Sequence, residues 1–187
     1  MQAVMCVAFC GSLGLAEWVV HDQRTKGGTP LERVPISVGP LSIRGPRGWE
    51  LESQSEHPVR YVAVEPERGD RDARTLTIRE TKVQVGTSAE KFLAQKGLEF
   101  GLPSEPIRIG KVNGILVSSQ SQADTEMAPE SAPIVNEWIA GCVGPNGIAI
   151  SIQLKGPEET ETQRMLDKQL IRDVARAIAV QDDPGNR

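Results

Sequence analysis

Residues 134–154 read IVNEWIAGCVGPNGIAISIQL, and this stretch decides the fold. In its second half every other residue from Ile148 to Leu154 is Ile or Leu, while the residues between them are small or polar. That period of two is typical of a β-strand with one face on an apolar core. Residues 144–147, Gly-Pro-Asn-Gly, form a four-residue turn motif. The stretch therefore predicts an antiparallel hairpin with arms at 134–143 and 148–154.

Shorter alternating segments elsewhere in the chain predict further strands. They lie at residues 49–52, 59–64, 75–79, 106–109 and 112–122, while residues 41–43 form only a short alternating stretch. Several of these neighbours are joined by short turn-like segments, which favours antiparallel pairing. Together with the hairpin they predict one antiparallel sheet.

Two segments change to the helical period. The first opens on a capping box from Thr87 to Glu90, with a hydroxyl at the N-cap, and predicts a helix of about ten residues. The second is predicted from Pro157 to Ala179, with Pro157 in the first helical position. Its apolar residues recur every four positions at Leu166, Leu170, Val174 and Ile178.

The predicted element order is β-β-β-α-β-β-β-β-α. We therefore expect an α+β fold, an antiparallel β-sheet covered by two helices in an α/β/α sandwich. The order has no β-α-β alternation, which argues against a doubly wound nucleotide-binding fold.

The N-terminal segment, residues 1–20, is apolar and has no charge before Glu17. Three interpretations compete: a cleaved signal peptide ending before Glu17, an uncleaved membrane anchor reaching about Val20, and a buried helix of the domain. A signal peptide would require a basic residue before the apolar run, and none is present. Trp18, in contrast, is a residue typical of membrane interfaces and favours an anchor. We expect membrane targeting, with a slight preference for the anchor.

The remaining chain divides by composition. Residues 21–40 are polar and broken by Gly and Pro, so they are predicted to be a linker. Residues 41–180 hold all the predicted strands and helices, and residues 181–187 are predicted to be a disordered tail. The net charge is −4 and basic residues do not cluster along the sequence, which disfavours nucleic acid as a partner.

The residues able to carry chemistry are few. His21 falls in the linker and His57 in a polar turn, and neither has a partnered nucleophile nearby in the sequence. Cys6 and Cys10 lie in the apolar segment, where packing is the simpler explanation, and Cys142 alternates in register with Trp138 on one sheet face.

The acidic residues also have simple structural explanations. Glu158, Glu159 and Glu161 suit the start of a helix better than a calcium site. The alternating acids and arginines of residues 65–74 predict a solvated turn. We therefore expect no catalytic residue, no cofactor and no metal.

Trp49 and Trp138 are the candidate binding residues. Each begins or lies within a predicted strand, and Trp is favoured where proteins bind partners. The competing and simpler interpretation is that both fill the space between helix and sheet.

The order of elements and two short motifs resemble the PsbP-like α/β/α sandwich group. The motifs are Gly45-Pro46-Arg47-Gly48-Trp49 and the C-terminal hairpin followed by a long helix, and the resemblance covers roughly residues 41–180. It implies a non-enzymatic protein such as an extrinsic membrane-complex subunit, a lipoprotein or an adaptor.

The sequence therefore favours a non-enzymatic interaction module, membrane-anchored or exported through residues 1–20, with another protein or a membrane-associated complex as partner. The alternatives are a cytoplasmic adaptor or chaperone-like protein, and an enzyme with acids and arginines in loops.

Overall fold

The structure is a computed structural model, and it describes residues 30–53, 58–63, 74–97, 103–122, 134–157 and 160–180. The predicted apolar segment 1–20, the first part of the predicted linker and the predicted tail 181–187 lie outside these ranges. So do Cys6, Cys10, His21 and His57.

A seven-stranded antiparallel sheet organises the domain, as predicted. Its strands follow the spatial order β3-β4-β5-β9-β8-β7-β6. Over the residues described, the fold is α+β, with this sheet and two helices, which confirms the predicted class. The elements are β1 (Ile36–Val38), β2 (Leu41–Ile43), β3 (Trp49–Ser53), β4 (Val59–Ala63), β5 (Thr75–Lys82), α1 (Ala89–Ala94), β6 (Ser104–Ile109), β7 (Val112–Gln122), β8 (Ile134–Val143), β9 (Ile148–Pro157), α2 (Glu161–Ala177) and β10 (Ala179–Val180).

The predicted hairpin is present as β8 and β9. Val143 pairs with Ala149 at the turn end, and the ladder continues to Val135 and Pro157 at the open end. The Asn146 side-chain oxygen accepts a hydrogen bond from the Ile148 N–H at 3.2 Å, which closes the turn. The second arm thus extends three residues beyond the predicted Leu154.

Helix α1 differs from its prediction in length and in its first residue. Ser88, not Thr87, is the N-cap, because its hydroxyl accepts from the Lys91 N–H at 3.2 Å. The Thr87 hydroxyl instead donates to the Gln84 carbonyl at 2.7 Å. The helix has six residues rather than the predicted ten.

Helix α2 begins later than predicted. Its N-cap is Thr160, whose hydroxyl accepts from the Gln163 N–H at 3.3 Å. The prediction that Pro157 starts the helix is wrong, since Pro157 still pairs with Val135 in the sheet. The helix also ends at Ala177, before the predicted Ala179.

A small second sheet was not predicted. Strands β1 and β10 pair with β2 on either side, in antiparallel register. Strand β1 lies inside the predicted linker 21–40, so that the ordered structure already includes residues before Leu41. Leu31 also forms an isolated bridge with Pro46.

Apolar residues pack on both faces of the large sheet. One cluster joins the sheet to α2 and to the small sheet, and its fully enclosed members include Leu41, Ile78, Ile152 and Ile171. A smaller cluster under α1 comprises Phe92, Leu93, Val117, Ile139 and Ala149. Among the residues that the structure describes, the α2 face of the sheet is therefore covered far more fully than the α1 face.

No helix in the described part of the chain is both long and apolar enough to span a membrane.

Candidate anion-binding site

Trp138 lies on the α2 face of strand β8 and is 7% exposed. Two cations of α2 lie over its ring, with Arg164 Cζ at 5.7 Å and Lys168 Nζ at 5.5 Å from the ring centroid. Such contacts hold a cation by attraction to the electron-rich ring face. The indole therefore supports two α2 side chains from below, within the main core cluster.

Trp49 occupies a different part of the molecule. It is the first residue of edge strand β3 and is half-buried against the same core cluster. Strands β4, β5 and β9 separate β3 from β8 in the sheet. Neighbouring strands are about 4.8 Å apart, and four such spacings separate β3 from β8. The two tryptophans therefore do not share one surface. Their role as partner anchors stays a prediction.

Four cations follow one side of α2 at a spacing of four residues. We call Arg164, Lys168, Arg172 and Arg176 the basic row. A step of four residues turns about 40° beyond a full helical turn, so the row drifts around the helix. The side-chain exposure of Lys168, Arg172 and Arg176 accordingly rises from 23% to 32% and 67%. The row begins against the sheet and ends in solvent.

Glu105 of β6 joins two members of the basic row. Its Oε1 is 2.5 Å from Lys168 Nζ, and its Oε2 is 2.6 Å from an Arg172 guanidinium nitrogen. The hydrogen bond from Lys168 is the largest cause that lowers the pKa of this carboxyl, and the charges of Lys168 and Arg172 act in the same direction. One carboxylate thus pairs with two neighbouring cations of the row and balances one of their two positive charges.

An open cleft of about 500 Å³ lies beside the outer end of the row. Its lining includes Arg172 and Arg176 of α2, Arg108 of β6 and Asn113 of β7. The rest of its lining is formed by Pro106, Ile107, Gly110 and Gly114. We call this space the arginine cleft. The guanidinium group of arginine and the amide of asparagine are donors suited to carboxylates or phosphates.

A tight contact at Gly110 sets the position of β6 relative to α2. The Gly110 N–H donates to the Ala175 carbonyl at 2.8 Å, near the C-terminal end of the helix. Gly110 has φ of +57°, and a Cβ at this position would lie 2.6 Å from the Ile178 carbonyl oxygen. Only glycine permits this approach, which holds the end of β6 against the end of α2 beside the arginine cleft.

Asp167 fixes the other side of α2. It is 8% exposed, and its Oδ1 accepts from Gln163 at 2.9 Å and from Arg74 at 3.3 Å. The prediction that residues 65–74 form a solvated turn does not hold for Arg74, whose side chain is largely buried. Residues 65–73 lie outside the described residues. The Arg74–Asp167 pair ties α2 to the start of β5.

Cys142 is a buried core residue beside Trp138 and Ala140, on the sheet face expected from its register. Burial raises the pKa of its thiol to about 11, against a smaller lowering by a hydrogen bond with the Ile150 backbone. The thiol is therefore protonated at neutral pH. Glu161 lies in the first turn of α2, as predicted, and Glu158 and Glu159 lie outside the described residues.

Within the ranges that the structure describes, no three His, Cys, Asp or Glu side chains are grouped so as to hold a metal ion.

The sequence analysis did not find the basic row or the arginine cleft. Nevertheless, the four-residue spacing from Arg164 to Arg176 is visible in the sequence once the helix is placed. The overall charge of −4 concealed it, because a local row of cations needs no positive total.

No protein-family model and no curated protein matches the chain. Solved structures resemble it in fold, among them the three that follow. The Ran-binding protein Mog1p of Saccharomyces cerevisiae has a TM-score of 0.59 and 14% identity, over 83% of this chain and 97% of that one. LpqN, involved in cell envelope biogenesis of Mycobacterium tuberculosis, has a TM-score of 0.53 and 13% identity, over 81% and 92%.

A protein from Bacteroides thetaiotaomicron has a TM-score of 0.51 and 12% identity. The match covers 81% of this chain but only 50% of the Bacteroides chain. At such low identities these likenesses establish a shared α/β sandwich fold and nothing more specific.

Proposed function

We propose that this protein is a non-enzymatic binding module that engages another protein through the basic row of α2. The observation that carries the proposal is the row itself, together with the arginine cleft at its exposed end. Cations fixed at regular intervals on a packed helix form a preorganised surface for a partner of negative charge. Arg176, with 67% of its side chain exposed, is the most accessible of them.

The chemistry of the cleft favours binding over catalysis. The polar side chains among its lining residues belong to three arginines and Asn113. Guanidinium groups keep their charge at neutral pH and bind anions, but they do not act there as nucleophiles or general bases. An enzyme with a loop-borne site of acids and arginines is therefore the weaker alternative.

The related folds support a binding role without specifying it. Mog1p, which shares the sandwich, is a Ran-binding protein. LpqN takes part in cell envelope biogenesis. The motifs that resemble the PsbP-like group, Gly45 to Trp49 and the C-terminal hairpin and helix, point in the same direction.

We propose that the domain lies outside the cytoplasm, anchored or exported through the apolar segment 1–20, with residues 41–180 as the binding domain. The support is the uncharged apolar run before Glu17. A cytoplasmic adaptor or chaperone-like protein is the alternative. Fractionation of cells that express the full chain, with detection of the domain in membranes, medium or cytosol, separates these locations.

In this proposal the two candidate tryptophans have different roles. Trp138 is enclosed beneath Arg164 and Lys168, so it contributes by holding the row in place. Trp49 lies on β3, at the sheet edge opposite β6. It is proposed only as an anchor for a second contact with the partner protein, away from the basic row.

Site-specific photo-crosslinking tests the proposed surface. The photoreactive residue p-benzoylphenylalanine replaces Met165, which is 59% exposed on α2, in the native cells. The matched control carries it at Val85, which is 68% exposed in the turn between β5 and α1. We expect a discrete protein adduct from position 165 and none from position 85.

Charge reversal makes the result specific. Adding Arg172→Glu and Arg176→Glu to the Met165 variant should abolish the adduct, because the partner then meets negative charge. Equal adducts from positions 165 and 85, or an adduct that survives charge reversal, would contradict the proposed surface.

A further inference from the structure

Glu105 shows how the basic row binds a carboxylate. The two oxygens of one carboxyl group are divided between Lys168 and Arg172, at 2.5 and 2.6 Å. These cations are four residues apart on α2, which is one step of the row. The same step is repeated between Arg172 and Arg176, which line the arginine cleft together with Arg108 of β6. The arginine cleft is thus a second position of the same kind.

The cations of this second position are weakly engaged by the protein itself. Arg176 is 3.8 Å from Asp173, whose Oδ1 already accepts from Gln169 at 2.8 Å. Among the described residues, Arg108 forms no ion pair. Arg172 shares its charge with Glu105. The cleft therefore retains a positive charge that a ligand can neutralise.

The spacing of the row indicates the shape of the ligand. Four residues of an α-helix advance about 6 Å along its axis. Alternate side chains of an extended peptide are about 6.8 Å apart and point to the same side. Two acidic residues separated by one residue can therefore meet successive positions near Arg172 and Arg176.

We propose that the arginine cleft binds an extended acidic segment of the partner protein, with carboxylates on alternate residues. This inference rests on the proposed function and names the chemistry of its partner. The cleft has the size of a complete small-ligand site, which usually measures about 300–1,000 Å³, and so exceeds the needs of a single small anion. Pro106 and Ile107 supply apolar wall for the methylene groups of glutamate side chains.

The test uses a fluorescein-labelled peptide of Glu-Ser repeats, followed by anisotropy at low salt. A peptide of Gln-Ser repeats has the same length and no charge, and it serves as the ligand control. We expect the Glu-Ser peptide to bind the wild-type chain and the Gln-Ser peptide not to bind. Binding should weaken steeply as salt is added, because the contacts are between charges at the surface.

The protein variant is Arg108→Gln with Arg176→Gln. Each substitution removes a guanidinium group but leaves Arg172 and Glu105 in place, and both side chains lie at the surface. We expect affinity for the Glu-Ser peptide to fall about tenfold or more, the loss expected for at least one charge-assisted contact. Arg79→Gln, on the α1 face of β5, is the matched control and should bind as wild type.

Several results would overturn the inference. One is that wild type and the Arg108→Gln, Arg176→Gln variant bind the Glu-Ser peptide equally well. Another is that the wild type binds the Gln-Ser peptide as well as it binds the Glu-Ser peptide. Saturable binding of inorganic phosphate, with no binding of the Glu-Ser peptide, would assign the cleft to phosphate instead. An unchanged urea midpoint for the variant excludes unfolding as the cause of lost binding.

The proposed function and this inference fail in different ways. If position 165 still crosslinks its partner in the Arg108→Gln, Arg176→Gln variant, the protein-binding role stands and the acidic-segment inference is wrong. If the peptide results are as expected but position 165 gives no adduct, the cleft binds carboxylates and the proposed protein-binding role is wrong.

Discussion

In the described part of the chain, the two faces of the large sheet are covered very differently. On one face the 17-residue helix α2 and the small sheet enclose the main core. On the other, the six-residue helix α1 covers only a small cluster around Phe92 and Leu93. Beyond α1 this face carries polar side chains, among them Gln153, which donates to Glu137, and Lys155, 3.6 Å from the same carboxylate. The α2 face therefore carries both the main core, which stabilises the fold, and the fixed charges that a binding surface requires.

The largest expected effect compares one substitution on the two faces. Ile152 on β9 is fully buried in the main cluster, whereas Ile139 on β8 is 8% exposed in the cluster under α1. Ile152→Ala should lower the free energy of unfolding by about 4 kcal/mol, and Ile139→Ala by about 2 kcal/mol, because the looser site can collapse around the cavity. Urea denaturation measures both.

Equal losses for these two variants, or a larger loss at Ile139, would break the comparison. The m-values should stay near that of the wild type, since a change in m would indicate a changed unfolded or native ensemble rather than a lost core contact.

A smaller effect is expected where α1 meets the sheet. A Cβ added to Gly141 would lie 2.6 Å from a Leu93 methyl and 2.8 Å from its Cγ. Gly141→Ala therefore forces Leu93 and α1 away from β8, and should cost about 1–3 kcal/mol. Hydrogen exchange of residues 89–94 should accelerate more than exchange in α2. Acceleration confined to α2 would show that the α1 contact is not the limiting one.

The elements predicted correctly from the sequence are those specified by local pattern. The alternation from Ile148 to Leu154 and the turn before it lie within one short stretch, so they predict the hairpin without knowledge of its neighbours. The errors at helix ends arise because more than one residue, or more than one element, could satisfy the local pattern. Thr87 and Ser88 both offer a hydroxyl, and the choice depends on the bond from Thr87 to Gln84. Pro157 was assigned to the helix because its pairing with Val135 is not visible locally.

The smallest stability effect concerns the charges on the α2 face. The lowered pKa of Glu105 means that its ionised form is stabilised in the folded state. Its contribution is therefore present above the ordinary glutamate pKa of about 4.3 and is lost as the pH falls through the lowered folded value. Because the carboxyl is 45% exposed, Glu105→Gln should cost less than about 1 kcal/mol at pH 7, and the cost should vanish at low pH.

The control for this pH dependence is the Lys168→Gln, Arg172→Gln background, in which Glu105→Gln should have no pH-dependent effect. A cost for Glu105→Gln that grows as the pH is lowered would have the wrong sign for this ion cluster.

The candidate site was predictable only in part. The basic row is a local pattern within one helix and could have been found from its spacing. Its partners could not, since Glu105 is 63 residues from Lys168 in the sequence. Likewise, Arg108 reaches the arginine cleft only because Gly110 packs against the end of α2. The strands β1 and β10 were missed for the same reason, because their short segments are ordered by pairing with β2.

The most direct test of the contrast between the two faces is amide hydrogen exchange with and without the Glu-Ser peptide, at saturating concentration and low salt. The account predicts slower exchange in β6 and in residues 170–177 of α2, with no change in residues 89–94 of α1. Slower exchange in α1, or no change in β6 and α2 with the peptide bound, would contradict the claim that the partner binds on the α2 face.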